Sequence, residues 1–321
     1  MVLWLITTFA NNMKPTSLPR KTALVVISFF SIYVIWGSTY LLNKIAVREL
    51  PPFMLASVRF LTAGTLIFVI AKLMGLSLKI SKKQFVNTAI AGFLFLAFGN
   101  GVMVWALKYV DSGFAALEIS AQPLIVLILM RIFQGKRIRP MSLVGVLLGF
   151  VGIYLLVSQS QIISKEGSVV GMLMIFACMI SWASSSIFVG TADLPDNFFI
   201  NTGYQMLIGG GMLLVASLGI GEPWTLPSSW SPDVAWSMFI LIVFGSIVAF
   251  TAFNYLLRFV SPEKVATSTY INPIIALILG WYFLNEQITF QSVVAALVLL
   301  TGVYFINAKK TLVIFRRFIG N

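Results

Sequence analysis

Two charged side chains, Arg59 and Glu118, lie inside long apolar stretches of this chain. Arg59 falls about seven residues inside its stretch and Glu118 about six, so at 1.5 Å per residue both lie roughly 9–11 Å from the nearer end. An isolated charge at such a depth in a membrane is costly, so each should face a cavity and find a partner. We predict that the two neutralise each other. The pair then either links two helices or contacts and gates a substrate.

Aromatic and amide side chains form the second group that could bind a small molecule. Trp36, Tyr40 and Asn43 recur at helical spacing and share one face. Trp36 lies about halfway along its stretch, away from lipid headgroups, so we predict that Trp36 and Tyr40 face a cavity. Lys44 is close enough to the end to reach the surface. The candidate substrate-binding or gating residues are polar, charged or aromatic: Trp36, Tyr40, Asn43, Arg59, Asn100, Glu118, Gln122, Trp182, Asn254 and Asn272.

Two prolines, Pro123 and Pro273, follow directly after two of these amides. A proline inside a helix leaves the carbonyl one turn earlier without its amide partner. The sequence therefore predicts helix kinks at both positions. They are either bending points of helices that line a pathway or static kinks relieved by packing.

An internal repeat relates the two prolines. Asp111–Tyr154 aligns without a gap with Ser261–Tyr304, and a slightly different offset upstream aligns Trp36 with Trp182. With five spans in each unit, the second unit enters the bilayer from the opposite side. Inverted repeats of this kind give a transporter two similar gates with the substrate site between them. The counterparts of Arg59 and Glu118 are uncharged, so the gates are predicted to share a frame and differ in chemistry.

The elements that must position these residues are membrane-spanning helices. The chain has 321 residues, is 59% hydrophobic and is only 10% charged, which is far outside the range of soluble proteins. We predict an all-α integral membrane protein whose ten transmembrane helices form two inverted five-helix repeats. The predicted spans are Ala23–Ala46, Phe53–Leu73, Phe85–Tyr109, Gly113–Phe133, Met141–Val157, Val169–Thr191, Phe198–Leu218, Val234–Phe259, Val265–Leu284 and Thr289–Asn307. The predicted organisation is an N-terminal segment 1–22, repeats 23–160 and 161–307, and a basic tail 308–321.

The net charge of +12 is distributed unevenly between the two sides of these spans. Most Lys and Arg residues lie on the side of both termini, which the positive-inside rule places in the cytoplasm. The repeat follows the same rule, because basic Lys136-Arg137 aligns with Glu286-Gln287. The basic charge is thus explained by membrane orientation, and we predict no nucleic-acid partner.

Cysteine and histidine usage excludes several kinds of site. The chain has no His and one Cys, Cys178, which rules out a disulfide framework, a cysteine zinc cluster and a His-containing catalytic triad. It has no Walker lysine motif. We therefore predict no metal, no cofactor and no enzyme activity. The alternatives are a membrane-embedded lipid-modifying enzyme centred on Glu118 and Arg59, or a passive channel.

Several motifs resemble those of one transporter family. They are Trp36-Gly-Ser-Thr-Tyr-Leu-Leu-Asn-Lys44, Leu50-Pro-Pro-Phe53, Arg59-Phe-Leu-Thr-Ala-Gly64, Gln122-Pro123, Asn272-Pro273 and Leu284-Asn-Glu-Gln-Ile288. The chain resembles the EamA-type members of the drug/metabolite transporter superfamily over nearly its whole length. The resemblance implies a ten-helix carrier of two units, and many such members export amino acids or other small metabolites. The chain departs from the family at Gln134-Gly-Lys136, where an acidic residue is usual.

These observations together predict a secondary transporter. It is expected to export a small metabolite, such as an amino acid or a related amphipathic compound, across the inner membrane by alternating access. Its partners are that substrate, membrane lipids and a possible coupling proton. The substrate, transport direction, coupling ion, oligomeric state and start site, Met1 or Met13, stay open from the sequence.

Overall fold

All the regular secondary structure in the described part of the chain is helical. The computed structural model describes residues 18–135, 138, 140–159 and 166–307. Most of the predicted segment 1–22, the basic tail 308–321 and the pair Lys136-Arg137 lie outside these residues. The helices are α1 (Leu18–Ala46), α2 (Pro52–Leu73), α3 (Lys82–Ala106), α4 (Ser112–Gln134), α5 (Pro140–Val157), α6 (Ser168–Val189), α7 (Phe198–Gly219), α8 (Pro232–Phe259), α9 (Asn272–Leu284) and α10 (Phe290–Asn307).

Seven of these helices are long and apolar enough to cross a membrane by length and composition: α1 to α4 and α6 to α8. The apolar helices within α5, α9 and α10 are shorter. The structure thus has a helix in each predicted span, while full membrane crossing by these three stays a prediction. Local signals set several boundaries. Ser81 and Gln84 form a capping box before α3, and Asn197 caps α7.

Equivalent helices of the two units pack against each other. α2 packs on α7, and α5 packs on α10. Glycines allow the close approach: a Cβ on Gly302 of α10 would lie 2.7 Å from the carbonyl oxygen of Gly145, and one on Gly210 of α7 would lie 3.0 Å from the amide nitrogen of Leu61. Small residues commonly permit such backbone contact between membrane helices.

The predicted kinks are breaks in the helices. α4 is interrupted at residues 120 and 121, and its second half begins at Gln122 with Pro123 in the first turn. In the second unit, a short turn and a 3-10 segment, Ala266–Tyr270, precede α9, which has Pro273 in its first turn. A proline fits a first turn because no amide hydrogen is needed there. Each unit therefore has a discontinuous helix at the matching position.

A second matched irregularity lies in α3 and α8. Both helices widen to π-helical geometry, over Phe93–Asn100 and Leu241–Val248. Segments of this kind often occur at functional sites. The sequence pattern did not predict them.

Candidate functional site

A cavity lies where the two units meet, between α1, α2, α3, α4, α6, α8 and the segment before α9. Seven of the predicted site residues line it: Trp36, Tyr40, Arg59, Asn100, Gln122, Trp182 and Asn272. The structure therefore brings most of the candidates together. Their roles in binding stay predictions.

The two repeat-related tryptophans form the aromatic centre of the cavity. Trp36 and Trp182 meet edge to face, with ring centroids 5.8 Å apart. The ring of Phe253 contacts both, with its centroid 4.9 Å from that of Trp36 and 5.7 Å from that of Trp182. Sequence reasoning missed Phe253 and its neighbour Phe250, because 27 phenylalanines in a membrane chain offer no local signal that separates cavity contact from lipid contact.

Each tryptophan lies against the π-helical segment of the other unit. Trp36 Nε1 donates a hydrogen bond to the carbonyl oxygen of Gly245, at 3.2 Å. A Cβ on Gly99, the equivalent of Gly245, would lie 3.2 Å from the Trp182 ring. The absent side chain at Gly99 therefore makes room for the Trp182 ring, while a Cβ on Gly245 would meet Thr39 and Arg59 instead.

The two amides before the prolines also make equivalent contacts. Gln122 Nε2 donates to the carbonyl oxygen of Met179 in α6, at 3.1 Å. Asn272, with its amide oriented so that the nitrogen donates, lies 2.8 Å from the carbonyl oxygen of Tyr33 in α1. Each broken span is thus tied by one amide to the first helix of the opposite unit.

Arg59 contacts neutral groups. Its side chain is only 3% exposed, and Nε donates to Ser246 Oγ at 2.8 Å. Nη1 lies 3.4 Å from Asn43 Oδ1, and the guanidinium carbon lies 4.9 Å from the Phe60 ring centre. Asn43 is fully buried and does not line the cavity; it contacts Arg59, which does. Ser246 is a further partner that the sequence did not predict.

The predicted contact between Arg59 and Glu118 was wrong. No ion pair or hydrogen bond joins these two described residues, and Glu118 Oε2 is buried without a hydrogen-bond partner. Glu118 does not line the cavity. Residue spacing gives the depth of a side chain along its helix but not its direction around the axis, so equal depth did not imply contact.

Asn254 and Lys44 lie away from the cavity. Asn254 Nδ2 donates to Thr202 Oγ1 at 3.0 Å, which links α8 to α7 beside a separate polar cleft. Lys44 does not simply extend to the surface; its Nζ donates to the carbonyl oxygens of Leu107 and Val110, each at 2.6 Å. It therefore caps the end of α3.

Two carboxylates of the second unit hold helix starts of the first unit. Glu286 accepts hydrogen bonds from the amides of Ser112 and Gly113, at 2.8 and 3.0 Å, where α4 begins. Glu222 accepts from the amides of Phe53 and Met54, at 3.1 and 2.8 Å, in the first turn of α2. We call this end of the bundle the Glu286 end. Carboxylates at helix starts satisfy unpaired amides and the helix dipole.

The opposite end, which we call the Asp193 end, is joined through exposed side chains. Arg258 forms a 2.8 Å ion pair with Asp196, and Lys83 lies 3.9 Å from Asp193. Across the described residues, no group of three or more His, Cys, Asp or Glu side chains could hold a metal ion.

Comparisons with known proteins agree on one family. The chain matches the EamA-like transporter family over residues 23–158 and again over 169–308. It is 36% identical over 290 residues to the uncharacterized inner membrane transporter YedA of Escherichia coli (strain K12), covering 88% of this chain and 92% of that protein. It is 25% identical over 299 residues to a probable amino-acid metabolite efflux pump of the same strain, covering 85% of this chain and 91% of that protein.

A solved crystal structure supports the fold. The match covers 92% of this chain and 99% of the solved chain, with a TM-score of 0.66 and 17% sequence identity. The double family match, the apolar helices and the inner membrane relatives together show a multi-pass membrane protein. The chain belongs to the EamA-like transporter family.

Proposed function

We propose that this protein is a secondary transporter that exports a small metabolite across the inner membrane by alternating access. The observation that carries the proposal is the cavity between the units, whose walls come from equivalent positions: Trp36 with Trp182, and Gln122 with Asn272. A central site between inverted repeats can open to either side when one unit moves relative to the other. Export is supported by the relative named as a probable efflux pump.

The broken spans provide the moving parts in this proposal. The backbone interruptions before Pro123 and Pro273 let the halves of each span tilt separately. The amides of Gln122 and Asn272 hold the breaks against α6 and α1. Tilting at one break would therefore displace the cavity wall beside it.

Orientation is part of the proposal. We propose that α5, α9 and α10 also cross the membrane, that both termini are cytoplasmic, and that the Asp193 end faces the cytoplasm. Exposed Ser77 and Ser228 lie near the Asp193 end and the Glu286 end, respectively. With Cys178 replaced by alanine, an impermeant thiol reagent outside intact cells should label Ser228→Cys and leave Ser77→Cys unlabelled. The reverse pattern would overturn this orientation.

Glu118 is the proposed site of a coupling proton. It is a buried carboxyl group with one oxygen unpartnered, close to the break in α4. Glu118→Gln should abolish accumulation driven by a proton gradient while leaving some exchange. Unchanged accumulation and pH dependence would reduce Glu118 to a structural residue.

The test of transport itself begins with cells that overproduce or lack the protein. Metabolites that accumulate outside the overproducing cells are then supplied, radiolabelled, to proteoliposomes preloaded with the same unlabelled compound. Saturable counterflow of an unchanged compound is expected. A covalently modified product would support the lipid-modifying enzyme, and non-saturable flux without counterflow would support a passive channel.

A further inference from the structure

The cavity contains a positive charge that no carboxylate among the described residues neutralises. Among the described residues that line it, Arg59 is the only charged one. Its hydrogen-bond partners, Ser246 and Asn43, are neutral, and Glu118 makes no contact with it. A buried guanidinium stays charged, so an anion bound beside it would compensate a charge that the protein leaves unpaired.

The guanidinium still has donors to offer. Arginine carries five N–H groups, and the hydrogen bonds to Ser246 and Asn43 use two of them. The remaining donors include both on Nη2, which lies 3.1 Å from the place where a Cβ on Gly245 would stand. A carboxylate fits such a group well because its two oxygens can accept two parallel hydrogen bonds.

The position of Gly245 connects this charge to the aromatic centre. The same glycine accepts the hydrogen bond from Trp36 Nε1, so Arg59 and Trp36 flank one residue of α8. A ligand with its anionic group at Arg59 can therefore place an apolar ring against Trp36, Trp182 and Phe253. Asn100 Oδ1, which is buried without a partner, can accept one hydrogen bond from a neutral donor on the ligand.

An ammonium group would lack a carboxylate partner in this cavity. No Asp or Glu lines its described walls, and a second cation would be repelled by Arg59. We infer that the site binds a monoanionic carboxylate with an aromatic or similarly flat apolar body and selects against a free amino group. This inference rests on the proposed function only in taking the same cavity as the transport site.

Three probes with the same phenyl group and similar length test the inference on the purified protein: 3-phenylpropionate, phenylalanine and phenethylamine. Binding is measured by titration calorimetry near neutral pH. We expect saturable binding of 3-phenylpropionate and none of phenethylamine. Phenylalanine keeps the carboxylate but must bury an ammonium group without a carboxylate partner, so we expect it to bind about tenfold or more weakly than 3-phenylpropionate. No saturable binding of 3-phenylpropionate, or equal or tighter binding of either amine, would overturn the inference.

Variants assign the selectivity to Arg59. Arg59→Gln should remove the preference for the anion, while Arg59→Lys should keep a weaker preference because a single ammonium lacks the paired donors. Arg258→Gln, which changes an exposed arginine outside the cavity, is the matched control and should bind like the wild type. Preference for 3-phenylpropionate that persists in folded Arg59→Gln would contradict the assignment; if that variant fails to fold, the wild-type probe series decides alone.

The same probes separate this inference from the proposed function. Tight binding of 3-phenylpropionate without counterflow in proteoliposomes would contradict the transport proposal and support the proposed ligand class. Counterflow of another metabolite, with no binding of 3-phenylpropionate, would support transport and contradict the proposed ligand class.

Discussion

The two ends of the helix bundle are held by different kinds of contact. At the Glu286 end, Glu222 and Glu286 accept hydrogen bonds from backbone amides at the starts of α2 and α4. At the Asp193 end, exposed side chains form the ion pairs. Charge-assisted bonds to amides are stronger than exposed ion pairs, which contribute little. The helices are therefore held together more firmly at the Glu286 end than at the Asp193 end.

The difference has a cause in the repeat. Ser112, whose amide binds Glu286, aligns with Pro262, which has no amide hydrogen, and Glu286 itself aligns with Lys136. Both the donor and the acceptor of the contact are thus absent from the equivalent positions. The two tryptophans and the amide–proline breaks at the centre keep the symmetry of the two units, whereas this contact at the end does not. Such divergence would give the two gates of a transporter different stabilities.

Removing the charges of both carboxylates should have the largest effect on stability. Glu222→Gln together with Glu286→Gln should lower the free energy of unfolding by about 3 kcal/mol, because each loses a helix cap and a favourable charge at a helix start. Thermal unfolding of the detergent-purified protein measures this. Asp233→Asn is the control, since this acidic residue at the same end is exposed and accepts no side-chain hydrogen bond from the described residues. An equal loss in the control would remove the special role of the two carboxylates.

A smaller loss of stability is expected when the contact between Glu286 and Ser112 is crowded by an added methyl group. In Gly280→Ala the new Cβ would collide with the Glu286 carboxylate and lie 2.9 Å from Ser112 Oγ. Because the carboxylate can shift, we expect a loss of about 1 kcal/mol. Gly211→Ala makes the same change in α7 with no atom within 4 Å, so its stability should stay the same or rise slightly through helix propensity. Equal stability of the two variants would show that the contact tolerates displacement.

The smallest effect is expected at the Asp193 end. Asp193→Asn and Arg258→Gln should each change the free energy of unfolding by no more than about 0.5 kcal/mol, because their ion pairs are exposed to solvent. The same unfolding measurement, repeated at high salt, checks this. A loss as large as that of the Glu286 variants would mean that the two ends are equally firm.

Much of the frame was predictable from the sequence. The apolar stretches indicated a helix in every predicted span, and the repeat indicated that Trp36 and Trp182 would occupy equivalent positions. The prolines indicated where the spans bend, although the structure shows complete breaks. These features depend on local sequence, which is why reading along the chain finds them.

The contacts between distant helices were harder to predict. The pairing of Arg59 with Glu118 was wrong because depth does not determine the direction of a side chain. The alignment of Glu286 with a basic residue indicated membrane orientation but not its contact with Ser112, since no local pattern names a partner 174 residues away. The π-helical segments also gave no signal, because they use the same apolar residues as an ordinary helix.

The most direct test of alternating access follows accessibility at both ends of the cavity at once. Met103 lines it toward the Glu286 end and Ala266 toward the Asp193 end. Two variants, Met103→Cys and Ala266→Cys, are prepared in a protein whose Cys178 is replaced by alanine. Each is labelled with a small maleimide, first with both carboxylates intact and then with Glu222→Gln and Glu286→Gln together. Weakening the Glu286 end should raise the labelling rate at position 103 and lower it at position 266. Rates that rise together, or no change at position 266, would contradict alternating access.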